Sequence, residues 1–154
     1  MVVTTREPPE LWLALQGFLV AFVWEMFQMP FYEMDAETPW AATKACAAAS
    51  LGDAGIMVVA ACLANRLSKG SLWMKQPSLS AILIYLGAGI GVTIAIEWLA
   101  LRSDWGWEYS HLMPQIFRIG LVPLAMWVVV PSLSLFLSRK IVGSKARFKD
   151  PSAC

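Results

Sequence analysis

Residues 79–101 read LSAILIYLGAGIGVTIAIEWLAL, a run whose single charged side chain, Glu97, falls near its end. A helix needs about 20 apolar residues to cross the hydrocarbon core of a bilayer, and this stretch supplies them. Three more such runs follow from the same reading: Leu11 to Phe31, Ala45 to Ala64 and Ile116 to Leu137. The chain of 154 residues is 58% hydrophobic and only 15% charged, whereas soluble domains are about a quarter charged. The expected fold is therefore all-α, a single integral membrane domain built as a bundle of four transmembrane helices over residues 1–154. A basic, polar tail over 138–154 completes it. The first run is too long for a signal-peptide core and has no convincing cleavage site after it, so it is expected to stay.

Basic residues near span ends tend to remain in the cytoplasm, and this sets an expected orientation. Arg6, Arg66, Lys69, Lys75, Arg139, Lys140, Lys145, Arg147 and Lys149 fall on one side, against Lys44, Arg102 and Arg118 on the other. Nine against three puts both termini in the cytoplasm of an inner-membrane protein. The outer loops then hold Met34, Glu33, Asp35 and Glu37, followed by Asp104, Trp105, Trp107, Glu108, Tyr109 and His111. Trp and Tyr suit the membrane interface. A net charge of +1 gives no field for nucleic acid. The expected partners are membrane lipids, a hydrophobic small molecule and other membrane subunits, and no motif names a cofactor. Cys46, Cys62 and Cys154 have no metal-ligand spacing.

Within the spans, Gly52 and Gly55 sit in an Ala-rich second run, and Gly87, Gly89 and Gly91 in the third. Small residues let membrane helices approach closely, so spans two and three are expected to form the tight inner seam. The Gly-rich run 87–91 lacks the strand and helix context of a nucleotide loop and reads as packing. Pro123 and Pro131 should kink the last span.

Acidic residues inside a membrane are costly and mark function by default. Glu25, Asp53 and Glu97 lie one to a span. At a rise of about 1.5 Å per residue they fall about 9, 12 and 6 Å inside the outer ends of their helices, and Arg118 about 3 Å inside its own. All occupy one level. Gln28, Ser50 and Thr93 lie three or four residues from the acids, where they share a helix face. The expectation is a polar pocket in the outer half of the membrane, with Glu25, Asp53 and Glu97 as acid and base groups. Trp24, Gln28, Met29, Trp98, Trp105, His111 and Arg118 would bind the ligand, and Met26, Phe27 and Trp107 would add to its wall.

Two readings of the cluster stand beside each other. Arg118 and His111 could neutralise the carboxylates and lock the bundle, or a neutral carboxyl beside an ionised one could divide acid and base roles. At the level of the whole protein the alternatives are a non-enzymatic assembly subunit, and soft-metal handling by Met26, Met29, Met34, Met113 and His111.

Trp-Glu in the first span, an acid in the second, Glu-Trp in the third and a Trp/Tyr-rich outer loop together resemble small bacterial four-span membrane proteins of unassigned function. In general plan the chain is also similar to the sterol-isomerase and sigma-2-receptor superfamily and to integral-membrane terpene cyclases. That resemblance implies acidic roles for Glu25, Asp53 and Glu97, aromatic roles for Trp24 and Trp98, and an isoprenoid or sterol ligand. The chain departs from those enzymes in its short length and single histidine.

Overall fold

The computed structural model describes residues 8–33, 38–68, 73–74, 76–103 and 107–148, with side chains as far as 142. Arg6, Met34, Asp35, Glu37, Lys69, Lys75, Asp104, Trp105, Lys149 and Cys154 lie outside the described residues. Four helices dominate: α1 (Pro9–Gln28), α2 (Pro39–Leu67), α3 (Leu79–Ala100) and α4 (Leu121–Phe148). All four are long and apolar enough to cross a membrane, so the chain is an integral membrane four-helix bundle. Helix starts are set by local chemistry. The Thr38 hydroxyl accepts from Ala41 N–H with Pro39 in the first turn, and the Ser78 hydroxyl accepts from Ala81 N–H, each satisfying a donor that the helix cannot.

Each helix packs on its sequence neighbours and α1 packs on α4, giving an up-and-down bundle. The start of α1 and the end of α4 share one end, called here the terminal end. The connections 29–38 and 101–120 share the other, the loop end. There the chain makes two short ladders. Strand β1 (Tyr32–Glu33) pairs antiparallel with β2 (Glu108–Tyr109), and β3 (Gln115–Ile116) with β4 (Ile119–Gly120).

The fourth helix begins at Leu121 rather than Ile116, because 115–120 is a hairpin turned by Phe117 and Arg118 at φ 51° and 67°. Positive φ at both central residues is the geometry that matches strand twist in a two-residue hairpin. Ile116, Phe117 and Ile119 gave that window its apolar character without being helical. The polar stretch after Leu137 continues α4 as far as Phe148, so its first basic residues extend a helix instead of opening a tail. Pro123 lies in the first turn of α4, and Pro131 lies inside the helix with its ring buried.

The expected seam between spans two and three is corrected. Inward positions recur about every four residues along α2 (Ala42, Cys46, Ser50, Ala54) and α3 (Ala81, Tyr85, Gly89, Thr93, Glu97). The close approaches are Gly17 of α1 against Met57 of α2, and Gly89 of α3 against Trp127 of α4. A Cβ added at Gly52, Gly55, Gly87 or Gly91 meets nothing within 4 Å. Residues 87 and 91 sit two positions from 89, about 200° around the helix, so they face outward when Gly89 faces in.

Candidate functional site

The terminal half of the bundle carries much of the apolar core. Leu13, Met57, Ala60, Ala61, Ala64, Tyr85 and Val130 form its core, with Trp73 from the second connection stacked obliquely on Tyr85. The loop half is not filled. A cavity of about 430 Å³ lies there, and Glu25, Asp53 and Glu97 all line it. Its floor is Trp127, whose ring lies where any side chain at position 89 would stand. Gln28, Met29, Cys46, Thr93 and Ile96 contribute to the walls, with Tyr32 and Trp107 on the loop side.

The three acids are held differently. Glu97 is 4% exposed and takes three donors from the loops: Tyr32 hydroxyl to Oε1 at 3.3 Å, Trp107 Nε1 to Oε2 at 3.2 Å, and the Tyr109 hydroxyl to Oε2. Tyr109 oxygen in turn accepts from Gly120 N–H at 2.9 Å. Burial first, then the neighbouring Glu97 charge, holds the Tyr32 hydroxyl well above its ordinary pKa of 10.0. Burial and the hydrogen bond to Glu97 do the same for Tyr109. Both phenols therefore stay protonated and donate at neutral pH. Ser110 adds two ties across the same ladder, its N–H to Phe31 oxygen at 3.0 Å and its hydroxyl to Pro30 oxygen at 2.8 Å. Glu97 thus clasps both loops over the cavity.

Glu25 has one local partner, accepting from Gln28 Nε2 at 2.8 Å, while Gln28 Oε1 accepts from Trp24 Nε1 at 3.0 Å. This relay is the i, i+3 and i, i+4 arrangement expected on one helix face. Asp53 differs from both. Its Oδ2 is buried without a hydrogen-bond partner, since the neighbouring Ser50 hydroxyl donates instead to Cys46 oxygen at 2.7 Å.

Other expected ligand residues are redistributed. Met29 and Gln28 line the cavity, whereas Trp24 reaches it only through Gln28. Trp98 is 51% exposed and faces outward under the Arg102 guanidinium, 4.2 Å from its ring centroid, because one residue of helix turns it about 100° from Glu97. Met26 and Phe27 are likewise exposed. Arg118 and His111 are exposed on the loops. They do not line the cavity, so the carboxylates are not neutralised from there. Trp105 lies outside the described residues. Tyr32, Cys46 and Trp127 were not anticipated at the site. Tyr32 follows the first apolar run, and its role depends on a ladder with a distant loop.

Among the described residues no group of three His, Cys, Asp or Glu side chains is placed to hold a metal ion. The acids share a cavity without converging on one point. Chemically, the arrangement offers an apolar space with aromatic walls, one clasped carboxylate, one amide-bound carboxyl and one carboxyl with a free oxygen. No protein-family model matches the chain, and no curated protein or solved structure is significantly similar to it.

Proposed function

We propose that this protein binds a hydrophobic, lipid-like or isoprenoid-like molecule in the loop half of the bundle, with the acids acting on its polar or unsaturated part. The observation that carries this reading is Asp53, which lines a cavity of about 430 Å³ and whose Oδ2 is a buried polar atom without a partner. An unsatisfied buried acceptor costs about 1 to 3 kcal/mol, and a bound hydroxyl or amine would relieve it. The cavity is within the size range of small-molecule sites.

The chemistry this set would supply is acid/base isomerisation or cyclisation. A neutral Asp53 or Glu25 carboxyl gives its proton to one alkene carbon, the π pair forms the new C–H bond, and the adjacent carbon becomes cationic. A carboxylate then takes a neighbouring proton, or the cation is captured by a second double bond before that loss. The faces of Trp107 and Trp127 would steady the cation by about 0.5 to 2 kcal/mol each. Glu97, committed to three donors, serves as electrostatic partner and not as the moving proton's carrier. In the cell, the excess of basic residues at the terminal end supports an inner-membrane location with both termini cytoplasmic.

Native mass spectrometry of the protein released from lipid nanodiscs tests the binding claim. A hydrophobic adduct in one-to-one ratio is expected, and Asp53→Asn, which keeps the shape, should weaken it. A parent protein that emerges without an adduct from every lipid extract supplied would overturn the reading.

A further inference from the structure

The cavity's walls are unequally covered. Met126 and Trp127 on α4 and Gln28 on α1 are buried, whereas Ala45, Ala49 and Gly52 on α2 and Ile96 on α3 line the cavity and are exposed. The exposed wall residues therefore belong to two adjacent helices that pack on each other. The loop side is closed by the Glu97 clasp, and the terminal side by Trp127 and the core beneath it.

We infer that the cavity opens sideways into the bilayer between α2 and α3, and that Gly52 sets the width of this entrance and so selects by size what enters. The inference rests on the hydrophobic-ligand reading for its purpose but not for its geometry. Ala45, Ala49 and Gly52 lie at i, i+4 and i+7, one above another along the lip. A Cβ at Gly52 meets nothing within 4 Å, so a larger side chain can be added there without disturbing the bundle. Helical side chains lean toward the N-terminus, so a phenyl ring at this position would lie back across Ala49 and cover the opening. An occupant entering this way stays in hydrocarbon until its polar part reaches Asp53, and therefore never crosses water.

The test uses the whole protein, cleared of bound lipid by detergent exchange and returned to phosphatidylcholine vesicles. The probe is trifluoromethyl phenyl diazirine, a small apolar carbene precursor dissolved in the bilayer. After illumination, adducts are mapped by peptide mass spectrometry. The parent should be labelled at Asp53 and Cys46 inside the cavity and at Val59, which is 69% exposed on the outer face of α2. Gly52→Phe should lose the cavity adducts and keep the one at Val59. Gly55→Phe, at a glycine that also has nothing within 4 Å of an added Cβ but does not line the cavity, should behave like the parent. A parent labelled at Val59 alone, a Gly52→Phe protein labelled like the parent, or a Gly55→Phe protein that loses the cavity adducts would each overturn the entrance. If the cavity adducts follow the expected pattern while mass spectrometry finds no hydrophobic adduct in native extracts, the entrance stands and the ligand reading fails.

Discussion

The two halves of the bundle use the same four helices for opposite ends. In the terminal half, Gly17 on α1 meets Met57 and Ala54 on α2, and Leu13, Tyr85 and Val130 belong to the buried core. In the loop half, the same helices leave a cavity of about 430 Å³ lined by three acids. Lipid tails are as apolar as the helices, so close packing and hydrogen bonds, not hydrophobic burial, hold a membrane bundle together. A hollow half gives up that packing. Its compensation is the loop clasp, where three donors meet Glu97. The apolar core and the acid-lined cavity are thereby separated along the bundle, with Trp127 between them.

The strongest way to break this division is to remove that ring. Trp127→Ala deletes a ring that is 2% exposed and touches both halves, and large-to-small changes of this kind cost about 3 to 5 kcal/mol. A marked fall in melting temperature in detergent is expected. An unchanged melting temperature would mean that the two halves do not depend on the ring.

Gly89→Ala attacks the same contact from α3. The added Cβ would overlap the Trp127 ring at Cε3, so the ring must move. Overpacking of this kind costs about 1 to 3 kcal/mol. The free space beside the ring is the cavity, so this variant should also bind less of any hydrophobic occupant. Gly91→Ala, which meets nothing within 4 Å, is the matched control and should melt with the parent.

A third change sharpens the contrast by loosening only the loop half. Glu97→Ala strands the Tyr32, Trp107 and Tyr109 donors, each loss at a charged acceptor being worth about 1.5 to 3 kcal/mol before the loops relax into water. The expected readout is local: faster hydrogen exchange at the Ser110 amide, which donates to Phe31 across the ladder, with helix amides near Leu13 and Val130 little changed. Equal acceleration in both halves would show that the clasp belongs to the core.

The sequence carried the helices and the level of the acids because both are one-dimensional quantities. Apolar length fixes a span, and depth is a rise per residue counted from its end. Rotation is not one-dimensional. Glu97 and Trp98 are adjacent in the chain, yet one is buried in the site and the other is 51% exposed. The same ambiguity put the glycines of 87–91 on a seam that only Gly89 makes, and with α4, not α2. The loops were hidden for another reason. A two-residue strand has no periodicity to detect, so the pairing of Tyr32 with Tyr109, and with it the clasp on Glu97, follows only from the closed bundle. Arg118 reads as a cation at a span end, but a positive φ places it in an exposed hairpin turn.

The smallest expected effect is an alkaline pH response of the clasp. Tyr32 and Tyr109 titrate above the ordinary phenol value of 10.0, chiefly because they are buried and secondarily because Glu97 faces them. A raised folded-state pKa means that the folded protein binds the proton more tightly than the unfolded chain. The stabilisation is therefore complete below pH 10 and is lost progressively as the pH rises above it. Ser110 amide protection, corrected for the intrinsic pH dependence of exchange, should be flat between pH 6 and 9 and decline beyond pH 10. Tyr109→Phe should weaken the clasp at every pH and reduce the alkaline decline. A parent whose Ser110 protection already falls between pH 6 and 9 would show that the clasp is governed by a group other than these two tyrosines.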